Sequence, residues 1–148
     1  EPAYGVFTCK DGKLMTLSIA HEDWFWTPFC DVIGKPELAG LKGRERAARK
    51  DALREEIAAV LVGKTRDDWG DLLDNAGVPW GPVNSLVETL EDPHVRARQL
   101  LRTIGHDSGR TETFLVQPLK FDGFETAAPD LPPELGADND SVLSDSAG

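Results

Sequence analysis

The chain has 148 residues, of which 40% are hydrophobic and 28% are charged, and its net charge is −10. This length and composition are typical of one globular domain that can bury a core. The negative charge argues against a nucleic-acid partner, which would need clustered Lys and Arg, and no apolar run approaches the about 20 residues of a membrane-spanning helix.

The first predicted element is a β-hairpin. Two β-like runs, at residues 4–9 and 14–19, flank the dipeptide Asp11-Gly12. Asp-Gly between such runs is a strong hairpin signal, because a type I′ turn needs positive φ at both central residues. We therefore expect an antiparallel hairpin over residues 4–19 that turns at Asp11-Gly12.

Three helices are predicted after the hairpin. The first covers residues 22–33 and ends at Gly34, and the second covers residues 44–62, where apolar residues recur at helical spacing. Thr65 begins the third, with Asp68 as its capping-box partner. The basic residues within 42–54 alternate with acids, so we interpret them as a solvated helix face.

The character of the sequence changes after Gly77. A Pro-Trp-Gly-Pro segment at residues 79–82 predicts a rigid loop, and capping signals at Ser85 and Asp92 predict two short helices. Two strands are expected at 101–104 and 113–116, joined by a turn over 106–110. Residues 118–148 predict an extended tail with one helical turn at 141–146. The fold class expected is therefore α+β.

The N-terminus carries no visible secretory signal, so we expect a cytoplasmic protein. The chain does not begin with Met, and we expect it to be part of a longer protein. Cys9 and Cys30 lack metal-ligand spacing and are predicted to be buried small hydrophobes, so no metal site is expected.

Two segments are candidates for chemistry. His21 and Glu22 follow the second predicted strand, and a His beside a carboxylate can transfer protons. The alternative is that Glu22 only stabilises the first helical turn, whose dipole favours anions. Trp24 belongs to three consecutive aromatic residues that cannot all face the core. Trp80 either packs within its own loop or meets a partner surface, and the residues alone leave both alternatives open.

Several motifs occur in an order that resembles one family. They are AGVPWGPVN at 76–84, DPHVRAR at 92–98, PAYGVF with DGK at 2–13, IGKPEL at 33–38, QPLKF at 117–121 and PPELG at 132–136. This set resembles the class III CoA-transferase and α-methylacyl-CoA racemase family, also called the CaiB–BaiF family. The resemblance covers nearly the whole chain.

The resemblance implies a division of labour between two domains. Residues 1–117 would be the small domain and residues 118–148 a return segment, while a large N-terminal domain would bind CoA and supply the aspartate that becomes acylated. The chain alone would then be inactive. Substrates would be an acyl-CoA thioester and a carboxylic acid, with no tightly bound cofactor. The full-length enzyme would be an interlocked homodimer with active sites between large and small domains.

The resemblance also points to the junction at His21 and Glu22. Racemase relatives use a Glu at this place, and an ungapped alignment from Asp11-Gly12 puts it opposite His21, whereas one inserted residue puts it opposite Glu22. This departure favours the transferase over the racemase. As auxiliary catalytic residues we therefore predict Glu22 and His21, and as substrate-binding residues Trp24 and Trp80. The non-enzymatic alternative is an acidic module that binds a protein partner through the Trp80 loop.

Overall fold

A computed structural model describes residues 1–105, 109–124 and 131–144. The described chain is a mixed α+β structure, as the sequence predicts, and divides into two compact units, Glu1–Asn84 and Ser85–Gly148. In the described part, no helix is both long and apolar enough to cross a membrane.

The first unit is built on a three-stranded antiparallel sheet. Its strands are β1 (Tyr4–Thr8), β2 (Leu14–Ser18) and β3 (Trp80–Val83), in the order β1-β2-β3. β1 and β2 pair with Phe7 opposite Met15, which confirms the predicted hairpin.

The hairpin turn differs from the expected type I′. Among residues 9–13, all described, only Gly12 has positive φ, at 74°. The Gly12 amide donates to the Cys9 carbonyl at 3.0 Å, and the Cys9 amide donates to the Lys13 carbonyl at 2.9 Å. This is a three-residue loop with Gly in the left-handed position, a geometry that spares Asp11 a positive φ.

The prediction of a rigid loop at residues 79–82 is wrong in part, because residues 80–82 belong to β3. Thr16 pairs with Gly81, and the Thr16 hydroxyl also donates to the Gly81 carbonyl at 3.1 Å. Pro82 lies opposite Met15 and is tolerated because β3 is an edge strand, where a missing N–H removes no bond to a further strand.

Four helices pack around this sheet. They are α1 (Asp23–Val32), α2 (Gly43–Ala48), α3 (Lys50–Leu61) and α4 (Arg66–Asn75), with a short 3₁₀ turn at Pro36–Leu38. The single helix expected over 44–62 is therefore two helices. Arg49 separates them with φ −113° and ψ 17°, a conformation outside the helical region.

The core of the first unit lies between the sheet and one face of each long helix. Leu53, Ile57 and Leu61 occupy successive turns of α3 and are fully buried. The indole nitrogens of Trp26 and Trp69 each donate to a backbone carbonyl at 2.8 Å, of Leu38 and Leu61 respectively. These bonds satisfy the polar atoms that the two buried indoles carry into the core.

The second unit contains short elements. They are α5 (Leu86–Glu91), α6 (Pro93–Ala97), β4 (Leu101–Gly105), β5 (Thr111–Leu115) and α7 (Asn139–Ser144). The predicted caps at Ser85 and Asp92 are confirmed, and β4 pairs with β5. The middle of the predicted 106–110 turn, and residues 145–146 of the predicted helical turn, lie outside the described residues. In the tail, Phe121 bridges to Phe124, so this part is not fully extended.

The second unit has no buried core in the part that the structure describes. No described residue from 85 onward is classed as buried, and ten large apolar side chains are exposed: Leu86, Val87, Leu90, Leu115, Leu119, Phe121, Phe124, Leu135, Val142 and Leu143. A surface this apolar is typical of a region that is covered by something else.

Candidate functional site

The candidate site is the junction where β2 passes into α1, at residues 19–22. Glu22 occupies the N-cap position of α1, with φ −81° and ψ 96°, but its side chain makes no cap hydrogen bond. Its Oε2 instead accepts a bond of 2.9 Å from the Ala20 amide. The Glu22 carboxylate therefore turns back over the junction and does not cap α1. The acidic residue in the first turn of α1 is Asp23.

His21 projects into solvent at this junction. Its side chain is 89% exposed, and its Nδ1 lies 3.4 Å from Oε1 of Glu1. The described contacts include none between the His21 and Glu22 side chains, which we expected to form a proton-transfer pair. The carboxylate that faces the imidazole belongs to Glu1. The sequence reasoning missed Glu1, which lies far from His21 in the chain.

Arg46 holds the junction from the inside. Its side chain is 0% exposed, and its Nη1 donates to Oδ1 of Asp23 at 2.6 Å and to the Leu41 carbonyl at 3.0 Å. Its Nε donates to Oε2 of Glu1 at 3.1 Å, and its Nη2 to the Ala20 carbonyl at 3.3 Å. The prediction that the basic run is a solvated face is wrong at this residue.

The charges around Arg46 stabilise one another. Burial by itself lowers the pKa of the Arg46 guanidinium, but the bonds to Asp23 and Glu1 outweigh it and raise the pKa. The bond from Arg46, assisted by Lys42 at 3.4 Å, lowers the pKa of the Asp23 carboxyl. Arg46 therefore remains a cation and Asp23 an anion at neutral pH.

Trp24 is the aromatic side chain of α1 that faces solvent. It is 70% exposed, whereas Trp26 is 1% exposed and Phe25 is partly buried against the core. The three consecutive aromatics divide between surface and core, as expected. Trp24 lies two residues beyond Glu22, so it offers an exposed flat apolar surface next to the junction.

Trp80 is packed within its own unit. Its Nε1 donates to Oδ1 of Asp74 at 2.7 Å, and the residue is partly buried against the core. Its ring lies so close to α4 that a Cβ at Gly70 would be 2.3 Å from the Trp80 Cζ2 atom. Of the two alternatives for Trp80, these contacts favour packing within the unit over a free surface.

The described residues contain no group of three or more His, Cys, Asp or Glu side chains placed to hold a metal ion. The two cysteines are buried and free. Burial raises the pKa of the Cys9 thiol, and it raises that of Cys30 to about 12, so neither is a thiolate at neutral pH.

A sequence model of the family described as CoA-transferase family III matches residues 1–139. Acetyl-CoA:oxalate CoA-transferase of Acetobacter aceti is 35% identical over 102 residues, which are 66% of this chain and 26% of that protein. (R)-2-hydroxy-4-methylpentanoate CoA-transferase of Clostridioides difficile is 24% identical over 152 residues, covering 97% of this chain and 37% of that protein.

Solved structures share the fold. The crystal structure of Rv3272 from Mycobacterium tuberculosis matches with a TM-score of 0.76 at 24% identity, over 92% of this chain and 38% of that one. A CaiB/BaiF family protein from Brucella suis matches with a TM-score of 0.73 at 22% identity, over 98% of this chain and 38% of that one. This chain thus spans 26–38% of the length of these relatives.

Proposed function

The chain belongs to CoA-transferase family III, and from this we propose that it works as part of a longer enzyme that transfers CoA between a CoA thioester and a free carboxylic acid. The observation that carries the proposal is the family match over residues 1–139, together with relatives whose names are those of CoA-transferases. The substrates would be an acyl-CoA and a carboxylic acid, without a tightly bound cofactor.

In this proposal the main catalytic group lies outside residues 1–148. The acylated aspartate belongs to a large domain, and the junction of this chain faces the substrate. Glu22 is an auxiliary catalytic group, because its carboxylate has a single described bond, from the Ala20 amide at 2.9 Å, and keeps acceptor capacity for a substrate proton or hydroxyl. His21 is a second auxiliary group, because its imidazole is 89% exposed and its two ring nitrogens can donate and accept hydrogen bonds.

Two tryptophans are proposed to contact the acyl-CoA. Trp24 supports this role because it is 70% exposed and follows Glu22 by two residues in the chain. Trp80 has less free surface, since its indole bonds to Asp74 and packs over Gly70. Only the accessible part of the Trp80 ring is therefore assigned to the substrate.

The proposed partner is the large domain of the same enzyme, in an interlocked homodimer. The support from this chain is the exposed apolar surface of the second unit, whose described residues have no buried core. The boundary between a small domain at 1–117 and a return segment at 118–148 is proposed from the resemblance to the family, and a cytoplasmic location stays a prediction.

An acyl-CoA racemase is the second candidate, and the observation that favours it is the carboxylate of Glu22 at the junction between β2 and α1. The two activities differ in their chemistry. A racemase exchanges the α-proton of the acyl group with solvent, whereas a transferase moves CoA to a new carboxylate. The module that binds a protein through Trp80 is less well supported, because Trp80 packs within its own unit.

The test uses the complete product of the gene beside residues 1–148 alone. Each is incubated in D₂O with an acyl-CoA and a panel of carboxylic acids, and products are identified by mass spectrometry. We expect a new CoA thioester without α-deuterium from the complete protein, and background levels from residues 1–148. Deuterium without CoA transfer would assign the racemase, and neither product from the complete protein would support the non-enzymatic alternative.

Variants of the junction test its residues. We expect Glu22→Gln and His21→Ala to lower turnover of the complete enzyme with little loss of folding stability, because the His21 side chain is exposed and glutamine can still accept the single described bond that Glu22 receives from the Ala20 amide. If Glu22 acted only on the helix dipole, Glu22→Gln would cost about 0.3–1 kcal/mol of stability and leave turnover unchanged. Asp51→Asn, in the first turn of α3, is the matched control. Wild-type turnover in both junction variants would contradict the proposed roles.

A further inference from the structure

We propose that Arg46 is a positioning residue, which fixes the backbone of residues 20–23 so that Glu22 and His21 face the substrate. This inference rests on the proposed function, since it assigns a purpose to the same junction. The Arg46 side chain is fully buried within this chain, so its role would be to position other groups.

One guanidinium bonds to the residue before His21 and to the residue after Glu22. Nη2 of Arg46 donates to the Ala20 carbonyl at 3.3 Å, and Nη1 donates to the Asp23 carboxylate at 2.6 Å. His21 and Glu22 are the two residues between these anchor points. One rigid planar group therefore holds the backbone before His21, through the Ala20 carbonyl, and the side chain of the residue after Glu22, through the Asp23 carboxylate.

A further bond of Arg46 reaches the imidazole indirectly. Nε of Arg46 donates to Oε2 of Glu1 at 3.1 Å, and the other oxygen of the same carboxylate lies 3.4 Å from Nδ1 of His21. The side chain of Glu1 is only 9% exposed, so Arg46 determines where this carboxylate sits. Arg46 thus orients His21 through Glu1 as well as through the backbone.

The guanidinium is also fixed in its own place. Its Nη1 donates to the Leu41 carbonyl at 3.0 Å, and its Cζ lies 5.1 Å from the centre of the Trp26 ring. Burying a charge is costly, and a well-packed apolar residue is often at least as stabilising as a buried ion pair. Fixing one arrangement of the junction accounts for a buried Arg here better than stability does.

Two substitutions test the role of the guanidinium. Arg46→Lys keeps the charge, but an ammonium has three donors and lacks the planar fork that spans Ala20, Asp23 and Glu1. Arg46→Met removes the charge at similar length. Arg54→Lys is the matched control, because Arg54 donates to the carbonyls of Tyr4 and Val6 and stacks on a ring, but has no described contact with the junction.

The first measurement uses ¹⁵N relaxation of the complete enzyme. We expect the order parameters of the His21 and Glu22 amides to fall from about 0.85 to about 0.6 in Arg46→Lys, while the amide of the buried Leu53 keeps its value. Leu53 reports on the fold as a whole. If Arg46→Met does not fold, Asp23→Ala replaces it, since that side chain is 45% exposed and the change removes the acceptor of one anchoring bond only. Unchanged order parameters at His21 and Glu22 would overturn the proposal.

The second measurement is turnover of the complete enzyme. We expect Arg46→Lys to lower kcat about 10- to 100-fold with KM for the acyl-CoA unchanged, because displaced catalytic groups slow the reaction without weakening substrate binding. Arg54→Lys should leave both constants at wild-type values. A loss of activity in Glu22→Gln with normal kcat in Arg46→Lys would overturn this inference and leave the proposed function standing. Normal activity in Glu22→Gln would instead contradict the proposed role of the junction.

Discussion

Replacing Gly70 by Ala should destabilise the protein, although the same change stabilises most helices. Gly70 lies inside α4, where Ala is favoured over Gly by about 1 kcal/mol. At this position, however, a Cβ would lie 2.3 Å from Cζ2 and 2.5 Å from Cη2 of Trp80. Carbon atoms in contact are ordinarily about 3.5–4.0 Å apart, so the indole must move.

The magnitude follows from what the displaced indole loses. Overpacking of this kind costs about 1–3 kcal/mol. A shifted ring also loses its bond of 2.7 Å to Asp74, which contributes about 0.5–1.5 kcal/mol. These losses exceed the gain in helix propensity, so we expect Gly70→Ala to lower the free energy of unfolding by about 2 kcal/mol.

Urea denaturation followed by circular dichroism measures this change. Asp71→Ala, at the neighbouring exposed position of α4, is the control and should change stability by less than about 0.5 kcal/mol. In a Trp80→Ala background the clash is absent, so Gly70→Ala should there stabilise by about 1 kcal/mol. A Gly70→Ala variant as stable as the wild type would refute the close packing of Trp80 on α4.

Three further predictions concern pH, thiols and the tail. The bond from Arg46 lowers the pKa of the Asp23 carboxyl below its ordinary 3.8. The ionised carboxylate therefore contributes stability that is fully present above pH 3.8 and is lost as the pH falls through the lowered pKa. The acid unfolding curve of Asp23→Asn should therefore lack this loss of stability. Identical acid unfolding curves for the variant and the wild type would contradict the prediction. Cys9 and Cys30 should resist a thiol reagent at pH 8 until denaturant is added, because both are buried. Amides of residues 131–144 should exchange almost without protection in a dilute monomer, and strong protection there would undercut the proposed return segment.

Most of the fold could be predicted because its signals are local. Asp11-Gly12 marks the hairpin, and the pairs Thr65–Asp68 and Ser85–Glu88 mark helix starts that the structure confirms. β3 was missed because prolines and glycines in a row indicate a loop, and only pairing with β2 stabilises that segment as a strand. The break at Arg49 was missed for a similar reason, since the residues around it all favour a helix.

The site was predictable only in outline. The position of Glu22 after a strand could be inferred from the sequence order, but its bond to the Ala20 amide could not. Arg46 looked like one more charge in a mixed run, and its partners Glu1 and Asp23 lie 45 and 23 residues away. A buried ion pair between such distant residues leaves no local pattern, so the structure was needed to find it.

The most direct test of the account is the location of the acylated carboxylate. The complete enzyme is incubated with its acyl-CoA and treated with hydroxylamine, which converts an aspartyl anhydride or thioester into a hydroxamate, and peptide mass mapping then locates the modified residue. We expect a hydroxamate on an aspartate outside residues 1–148 and none within them. A hydroxamate on an aspartate of this chain, together with loss of turnover when that residue is changed to Asn, would contradict it.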